Sequence, residues 1–173
     1  MEVIASVGFI GFSAAVAGAD LRFRRIPNWL NTAGVVAALG LTILANPAHL
    51  AGALLGLGVG FAVGFLLFAL KTLGAGDAKF LAAVGAWAGL ERLPAAFLAM
   101  LAGGAVFAVV WAIRHRILGG TLLSTSAMIG GMLERGERLP PIMGDTPVGR
   151  FPYGVGLGLG AVAWWVWAGG VLP

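Results

Sequence analysis

The sequence predicts an all-α membrane protein with about six transmembrane helices. Three observations lead to this fold class: 60% of the 173 residues are hydrophobic, only 10% are charged, and the mean hydropathy is +0.97. A soluble domain carries about 45–50% apolar and about 25% charged residues, and a globule of this size leaves about a third of its surface in water. The composition therefore excludes an ordinary soluble enzyme, a disordered tail and a secreted disulfide scaffold.

Apolar segments of membrane-spanning length follow one another along the chain. A helix needs about 20 residues to cross a hydrocarbon core of roughly 30 Å. The fourth segment is short and is expected to thin the bilayer, to begin inside a cavity or to span only partly. The six predicted spans are Val3–Ala19, Trp29–Ala45, Leu50–Leu70, Ala78–Leu90, Pro94–Ile113 and Tyr153–Leu172.

Two spans carry further patterns. The first is interpreted as a retained helix rather than a cleaved signal peptide, because only Glu2 precedes it where a signal peptide is positively charged. Glycines recur every fourth residue in the third span, a spacing that lets helix backbones approach closely. We interpret this stripe as a packing surface formed by Gly52, Gly56, Gly60 and Gly64. The six tryptophans, including Trp164, Trp165 and Trp167 near the end of the last span, are interpreted as an interfacial belt.

The basic residues predict the orientation of the helices. With the N-terminus outside, ten of the 11 lysines and arginines lie on one side of the membrane and only Arg92 lies on the other. Because such an excess marks the cytoplasmic face, we expect the long loop 114–152 to be cytoplasmic. It is expected to belong to a single membrane-embedded domain, 1–173. The ten residues are Arg22, Arg24, Arg25, Lys71, Lys79, Arg114, Arg116, Arg135, Arg138 and Arg150.

Several site classes have no support in the sequence. Cysteine is absent, so there is no thiol nucleophile and no cysteine-ligated metal. His49 and His115 are the only histidines, and their spacing matches no metal motif. The basic residues stand in short clusters between apolar runs rather than on a basic domain. We therefore expect no metal, no cofactor and no nucleic-acid partner.

Two aspartates are the candidate residues for chemical activity. Asp20 ends the first predicted span and Asp77 opens the fourth, so both are expected at one depth on the same side of the membrane. Ionisable groups at this boundary are costly, and two neighbouring carboxyls can share a proton as in aspartyl proteases. The structural alternatives are a helix N-cap for Asp77 and an ion pair of Asp20 with Arg22 or Arg24. A small ion-coupled transporter and a non-catalytic scaffold are the functional alternatives.

Three motifs support the protease hypothesis. Gly74-Ala75-Gly76-Asp77-Ala78-Lys79 matches the GxGD motif of polytopic aspartyl proteases. Asp20 followed by Pro27-Asn28 resembles the first-aspartate motif of the prepilin peptidases. Pro152-Tyr153-Gly154 resembles the segment that opens their last helix. The chain thus resembles the type IV leader peptidase family over both catalytic loops and the last helix.

The resemblance implies cleavage of the positively charged leader from prepilins or pseudopilins, on the cytoplasmic side of a bacterial or archaeal inner membrane. Asp20 and Asp77 would be the catalytic pair, and Gly74 and Gly76 would shape the loop. The other motif positions would be supporting residues without an assigned role: Lys79, Pro27, Asn28, Pro152 and Tyr153. The implied partners are the prepilin and the surrounding lipid.

Two finer expectations follow. Only residues 20–28 separate the first two spans, which resembles the small, peptidase-only members associated with tight-adherence (Flp-type) pili. N-methyltransferase activity, a property of larger members with an extra cytoplasmic domain, is not expected. The helix macrodipole favours negative charge at a helix N-terminus and disfavours it at a C-terminus. The sequence therefore favours Asp77 as the general base and Asp20 as the acid.

Overall fold

The computed structural model describes residues 2–114, 152–170 and 172, and within these ranges it contains helices and no strand. The predicted loop 114–152 lies outside the described residues, apart from its two ends. The helices are α1 (Glu2–Phe23), α2 (Asn28–Ala45), a short 3₁₀ turn (Pro47–His49), α3 (Leu50–Ala69), α4 (Ala75–Arg114) and α5 (Tyr153–Trp167).

The structure confirms the all-α membrane class. Four helical segments in the described part of the chain are long and apolar enough to cross a membrane, and α5 is a shorter apolar helix. The six-span count and the outside position of the N-terminus are not confirmed and stay predictions. The four segments are Glu2–Phe23, Asn28–Ala45, Pro47–Ala69 and Ala75–Arg114.

Helix α4 contains both the fourth and the fifth predicted spans. It is interrupted at Gly89, whose φ of 70° and ψ of 168° are not helical. Glycine adopts this backbone conformation at no steric cost because it has no Cβ. Pro94 lies in the helical stretch that follows the break. We call residues 75–88 of α4 its first arm and residues 90–114 its second arm. The predicted fourth span lies largely in the first arm, but a separate short fourth helix is not confirmed and stays a prediction.

Close backbone contact joins α3 to the first arm of α4. A Cβ added at Gly56, Gly60 or Gly64 would come within 3.0 Å of a carbonyl oxygen of that arm. The last of these contacts is with Ala78, the residue next to Asp77. The packing interpretation is thus confirmed for these three glycines, whereas Gly52 faces open space. The spacing of small residues on α3 brings the start of α4 close to it.

Helix α5 packs between α1 and the second arm of α4, and it uses a different pair of glycines for each neighbour. Gly156 and Gly160 lie against the backbone of α4, where Gly103 provides the matching small residue. Gly154 and Gly158 face α1, and Gly154 lies directly against Asp20. Because these glycines let α5 approach both neighbours closely, its N-terminus lies directly against Asp20.

A group of aromatic rings in mutual contact fills the core away from the two aspartates. We call Phe9, Trp87, Trp164 and Trp165 the aromatic cluster. The ring centroids of Phe9 and Trp165 are 4.4 Å apart, and those of Phe9 and Trp87 are 5.5 Å apart. The prediction of an interfacial belt is wrong for Trp87, Trp164 and Trp165, which are 0%, 3% and 1% exposed, whereas Trp29 and Trp167 are open at 68% and 81%. These buried rings lie in the core because they pack against Phe9.

Candidate active site

Asp20 lies inside α1 rather than at its end, because the helix continues to Phe23. Its side chain is 7% exposed, and its Oδ2 accepts a hydrogen bond of 2.8 Å from the backbone N–H of Gly154. The backbone of Val155 also hydrogen-bonds this carboxyl. The carboxyl thus lies at the N-terminus of α5, where unpaired backbone N–H groups favour an anionic group.

Asp77 is the third residue of α4 and is 8% exposed. The N–H of Ala78 donates to the carbonyl of Gly74 at 2.9 Å, which closes the first turn of the helix. The backbone of Gly74 in turn hydrogen-bonds the Asp77 carboxyl. This reach back to the residue before the helix resembles the second half of a capping box. Asp77 is therefore not the N-cap considered from the sequence, because α4 begins two residues before it, at Ala75.

The structure brings the two aspartates together. The Asp20 and Asp77 carboxyls are near enough for their charges to interact, and Asp77 interacts in the same way with Tyr153. Ile26 lies between the two helix starts, since a Cβ added at Gly76 or at Gly154 would come 3.1 Å from it. We call the region formed by residues 20–26, 74–77 and 153–154 the aspartate site.

The supporting motif positions lie around this site. Pro27 and Pro152 immediately precede α2 and α5, so each marks the start of a helix that borders the aspartates. Lys79 donates from Nζ to the Asn28 side-chain oxygen at 2.8 Å, which joins the start of α2 to the first turn of α4. Tyr153, the first residue of α5, is half-buried. These residues fix how the helix starts meet.

The positive charge of Arg24 acts on the Asp20 carboxyl. Arg24 has a φ of 51°, and its guanidinium lies over the ring of Trp111, 5.4 Å from the ring centroid. The charge interaction between Asp20 and Arg24 considered from the sequence is thus present. It accompanies the Gly154 hydrogen bond and does not replace it.

Two residues in or beside the aspartate site were not identified from the sequence. Ile26 looks like an ordinary apolar residue of the motif segment, and no local pattern marks its position between two glycines. Asn31 is 3% exposed, and its Nδ2 donates to the carbonyl of Gly76 at 3.1 Å. An asparagine inside an apolar span, three residues after Asn28 and so on the same helix face, was the signal that could have identified it.

No group of three or more His, Cys, Asp or Glu side chains suited to a metal ion occurs in the described ranges. The chemistry that the site itself offers is that of two nearly buried carboxyls, one at the N-terminus of α5 and one in the first turn of α4. Two such groups can divide acid and base roles, because adjacent carboxyls do not both ionise cheaply.

Comparison with known proteins gives one match. A family model described as the type IV leader peptidase family matches residues 7–113, more than half of the chain. The matched range contains Asp20 and Asp77 together with their flanking motifs, and it ends before α5. No curated protein and no solved structure matches the chain.

Proposed function

The chain belongs to the type IV leader peptidase family, and from this premise we propose that it is a membrane aspartyl endopeptidase that removes the positively charged leader from type IV prepilins or pseudopilins. One observation carries the proposal. Asp20 and Asp77, which lie on different helices and far apart in sequence, have carboxyls close enough to interact in a nearly buried site. Aspartyl peptidases use such a pair to activate water as the nucleophile.

In the proposed reaction one aspartate is ionised and the other is protonated. The ionised carboxylate takes a proton from water, and the oxygen of that water forms a bond to the scissile carbonyl carbon. The protonated carboxyl hydrogen-bonds the carbonyl oxygen as negative charge develops on it. A proton then passes to the leaving nitrogen as the carbon–nitrogen bond breaks.

The contacts of Asp20 favour it as the ionised member, which reverses the assignment expected from the sequence. That expectation placed Asp20 at the negative end of α1, but its carboxyl lies against the N-terminus of α5 instead. Hydrogen bonds from Gly154 and Val155 and the charge of Arg24 all act on it. Hydrogen bonds and cations stabilise a carboxylate more than a neutral carboxyl. We therefore assign the base to Asp20 and the acid to Asp77.

The basic residues support a cytoplasmic position for the site. Among the described residues, Arg22, Arg24, Arg25, Lys71 and Lys79 all lie close in sequence to Asp20 or Asp77, and an excess of such residues marks the cytoplasmic side. We accordingly propose that the enzyme cuts at the inner face of a bacterial or archaeal cytoplasmic membrane. The apolar part of the prepilin behind the cut would then lie in the bilayer beside the enzyme.

Family membership favours the peptidase over the ion-coupled transporter and the non-catalytic scaffold. The position of the aspartates agrees with this preference. Asp20 lies in the last turn of α1 and Asp77 in the first turn of α4, whereas transporter sites lie near the middle of the membrane.

The decisive experiment is a cleavage assay with purified protein in detergent and a Flp-type prepilin. We expect a mobility shift equal to the length of the leader, and we expect no shift with the double variant Asp20→Asn/Asp77→Asn. N-terminal sequencing of the product locates the cut. Intact prepilin after incubation with folded wild-type protein would contradict the proposal.

A further inference from the structure

Asn31 makes a hydrogen bond that spans two helices and ends at the aspartate site. It lies in the first turns of α2, and its Nδ2 donates to the carbonyl oxygen of Gly76 at 3.1 Å, across 45 positions of sequence. Only the amide nitrogen can donate to a carbonyl, so this contact sets the orientation of the amide. Gly76 is bonded directly to Asp77. The contact therefore holds the peptide that carries the second aspartate.

The other atom of the same amide lacks a partner. Asn31 is 3% exposed, and within the described residues its Oδ1 is buried without a hydrogen bond. A buried polar atom that is left unpaired destabilises a fold, and an apolar residue of similar size would avoid that cost. Stability alone thus does not account for an asparagine here. Its contact with Gly76 is the feature that a leucine would not reproduce.

A second amide of α2 acts on the same turn of α4. Asn28 accepts a hydrogen bond from Lys79 at 2.8 Å, so α2 holds α4 through residues on both sides of Asp77. Ile26, just before α2, lies against Gly76 as well. These contacts together set the rotation of the first turn of α4, and this rotation determines the direction in which the Asp77 carboxyl points.

We infer that Asn31 is a positioning residue of the active site: its amide holds the Gly76 carbonyl and thereby aims Asp77 at Asp20. The inference rests on the proposed function. A displacement of about 1 Å in a catalytic group can cost about 10²-fold in rate. Loss of this hydrogen bond is therefore expected to lower the rate of cleavage far more than it changes substrate binding or stability.

The test compares Asn31→Leu with a matched control, Ser13→Ala. Ser13 carries the other buried side-chain atom without a partner in the described residues, and it lies in the middle of α1. We expect Asn31→Leu to lower kcat for prepilin cleavage about 10²-fold with KM within about 3-fold and no fall in Tm. Ser13→Ala is expected to leave kcat unchanged.

A kcat of Asn31→Leu close to that of the wild type would overturn the inference, and so would an equal fall in Ser13→Ala. If the leucine variant does not fold, Asn31→Ala decides by the same criteria, because it removes the amide donor without adding bulk or charge. Failure of both variants to fold would assign Asn31 to stability and overturn the inference as well.

Hydrogen–deuterium exchange separates this inference from the proposed function. If the wild type cuts no prepilin, the proposed function fails, but exchange in residues 74–80 still reports on positioning. Faster exchange there in Asn31→Leu, and not in Ser13→Ala, would support the hold on the Gly76 peptide. Unchanged exchange would overturn it.

Discussion

The aromatic cluster and the aspartate site are built on opposite principles. In the aromatic cluster, large rings fill the space and two indole N–H groups are paired: Trp87 donates to the carbonyl of Gly34 at 3.1 Å and Trp165 donates to the Ser6 hydroxyl at 3.2 Å. At the aspartate site, the helices make contact through glycines and two carboxyls are nearly buried. The Oδ1 of Asn31, beside the site, lacks a partner among the described residues.

This difference separates the part of the molecule that stabilises the fold from the part that we propose performs the chemistry. Closely packed rings whose buried N–H donors have partners are typical of a stable core. Buried carboxyls and an unpaired amide oxygen depart from this pattern, and such departures concentrate at functional sites. Substitutions in the two regions should therefore differ in what they damage.

The largest expected effect is on activity in the aspartate site. Asp20→Asn or Asp77→Asn should lower prepilin cleavage by about 10²- to 10⁴-fold, because each removes an acid or base while keeping the shape of the side chain. The measurement is initial rate in detergent, with Tm recorded in parallel. A Tm close to that of the wild type is expected. A single variant that keeps wild-type activity would remove that aspartate from the catalytic pair.

The matching effect in the aromatic cluster is on stability. Trp87→Ala should lower the free energy of unfolding by about 3–5 kcal/mol, because it deletes a buried ring that contacts Phe9 and Trp165. The control is Trp167→Ala, which removes a ring that is 81% exposed and should have a small effect in detergent. Denaturation followed by fluorescence measures both. Equal effects would contradict the division between the two regions.

A smaller effect is expected where α5 meets Asp20. In Gly154→Ala the new Cβ would lie 3.1 Å from Asp20 Oδ2 and from Ile26 Cδ1, so the carboxyl must shift. Overpacking of this kind costs about 1–3 kcal/mol, and we expect cleavage to fall about 10-fold or more. Gly18→Ala is the control, because a Cβ there meets nothing within 4 Å. Wild-type rates in Gly154→Ala would show that this contact does not position Asp20.

The smallest effect concerns the exposed tie between α2 and α4. Lys79→Met removes the hydrogen bond to Asn28 and keeps the length of the side chain. A hydrogen bond of this type contributes about 0.5–1.5 kcal/mol, so cleavage should fall by less than about 10-fold. Lys71→Met, in the loop before α4, is the control with the same exposed substitution. A complete loss of cleavage in Lys79→Met would instead place Lys79 in the chemistry.

Much of the fold could be predicted because hydropathy and small-residue spacing are local patterns. The bounds of α2 and α3 lie within one residue of the predicted spans, and the glycines at 56, 60 and 64 pack as expected. The interruption of α4 at Gly89 was not predicted, since nothing in the sequence there separates one broken helix from two spans. The inward position of Trp164 and Trp165 was missed because a belt and a core use the same residue type.

The two aspartates could be identified as a candidate pair because their motifs and their shared depth are readable from the chain. The groups that surround the two carboxyls could not be identified in this way. The macrodipole argument for Asp20 considered only α1, whereas the carboxyl accepts a hydrogen bond from Gly154, 134 positions away in sequence and in the first turn of another helix. Asn31 was missed for the same reason, since its partner lies on another helix.

The sequence by itself determined that this is a helical membrane protein of the type IV leader peptidase family with two aspartates as its candidate acids, because composition, span length and motifs depend on neighbouring residues. Only the tertiary structure decided which backbone groups surround each carboxyl, and these groups are the basis on which we propose Asp20 as the base. Hydrogen-bond geometry depends on the rotation and packing of distant helices, which no local pattern specifies.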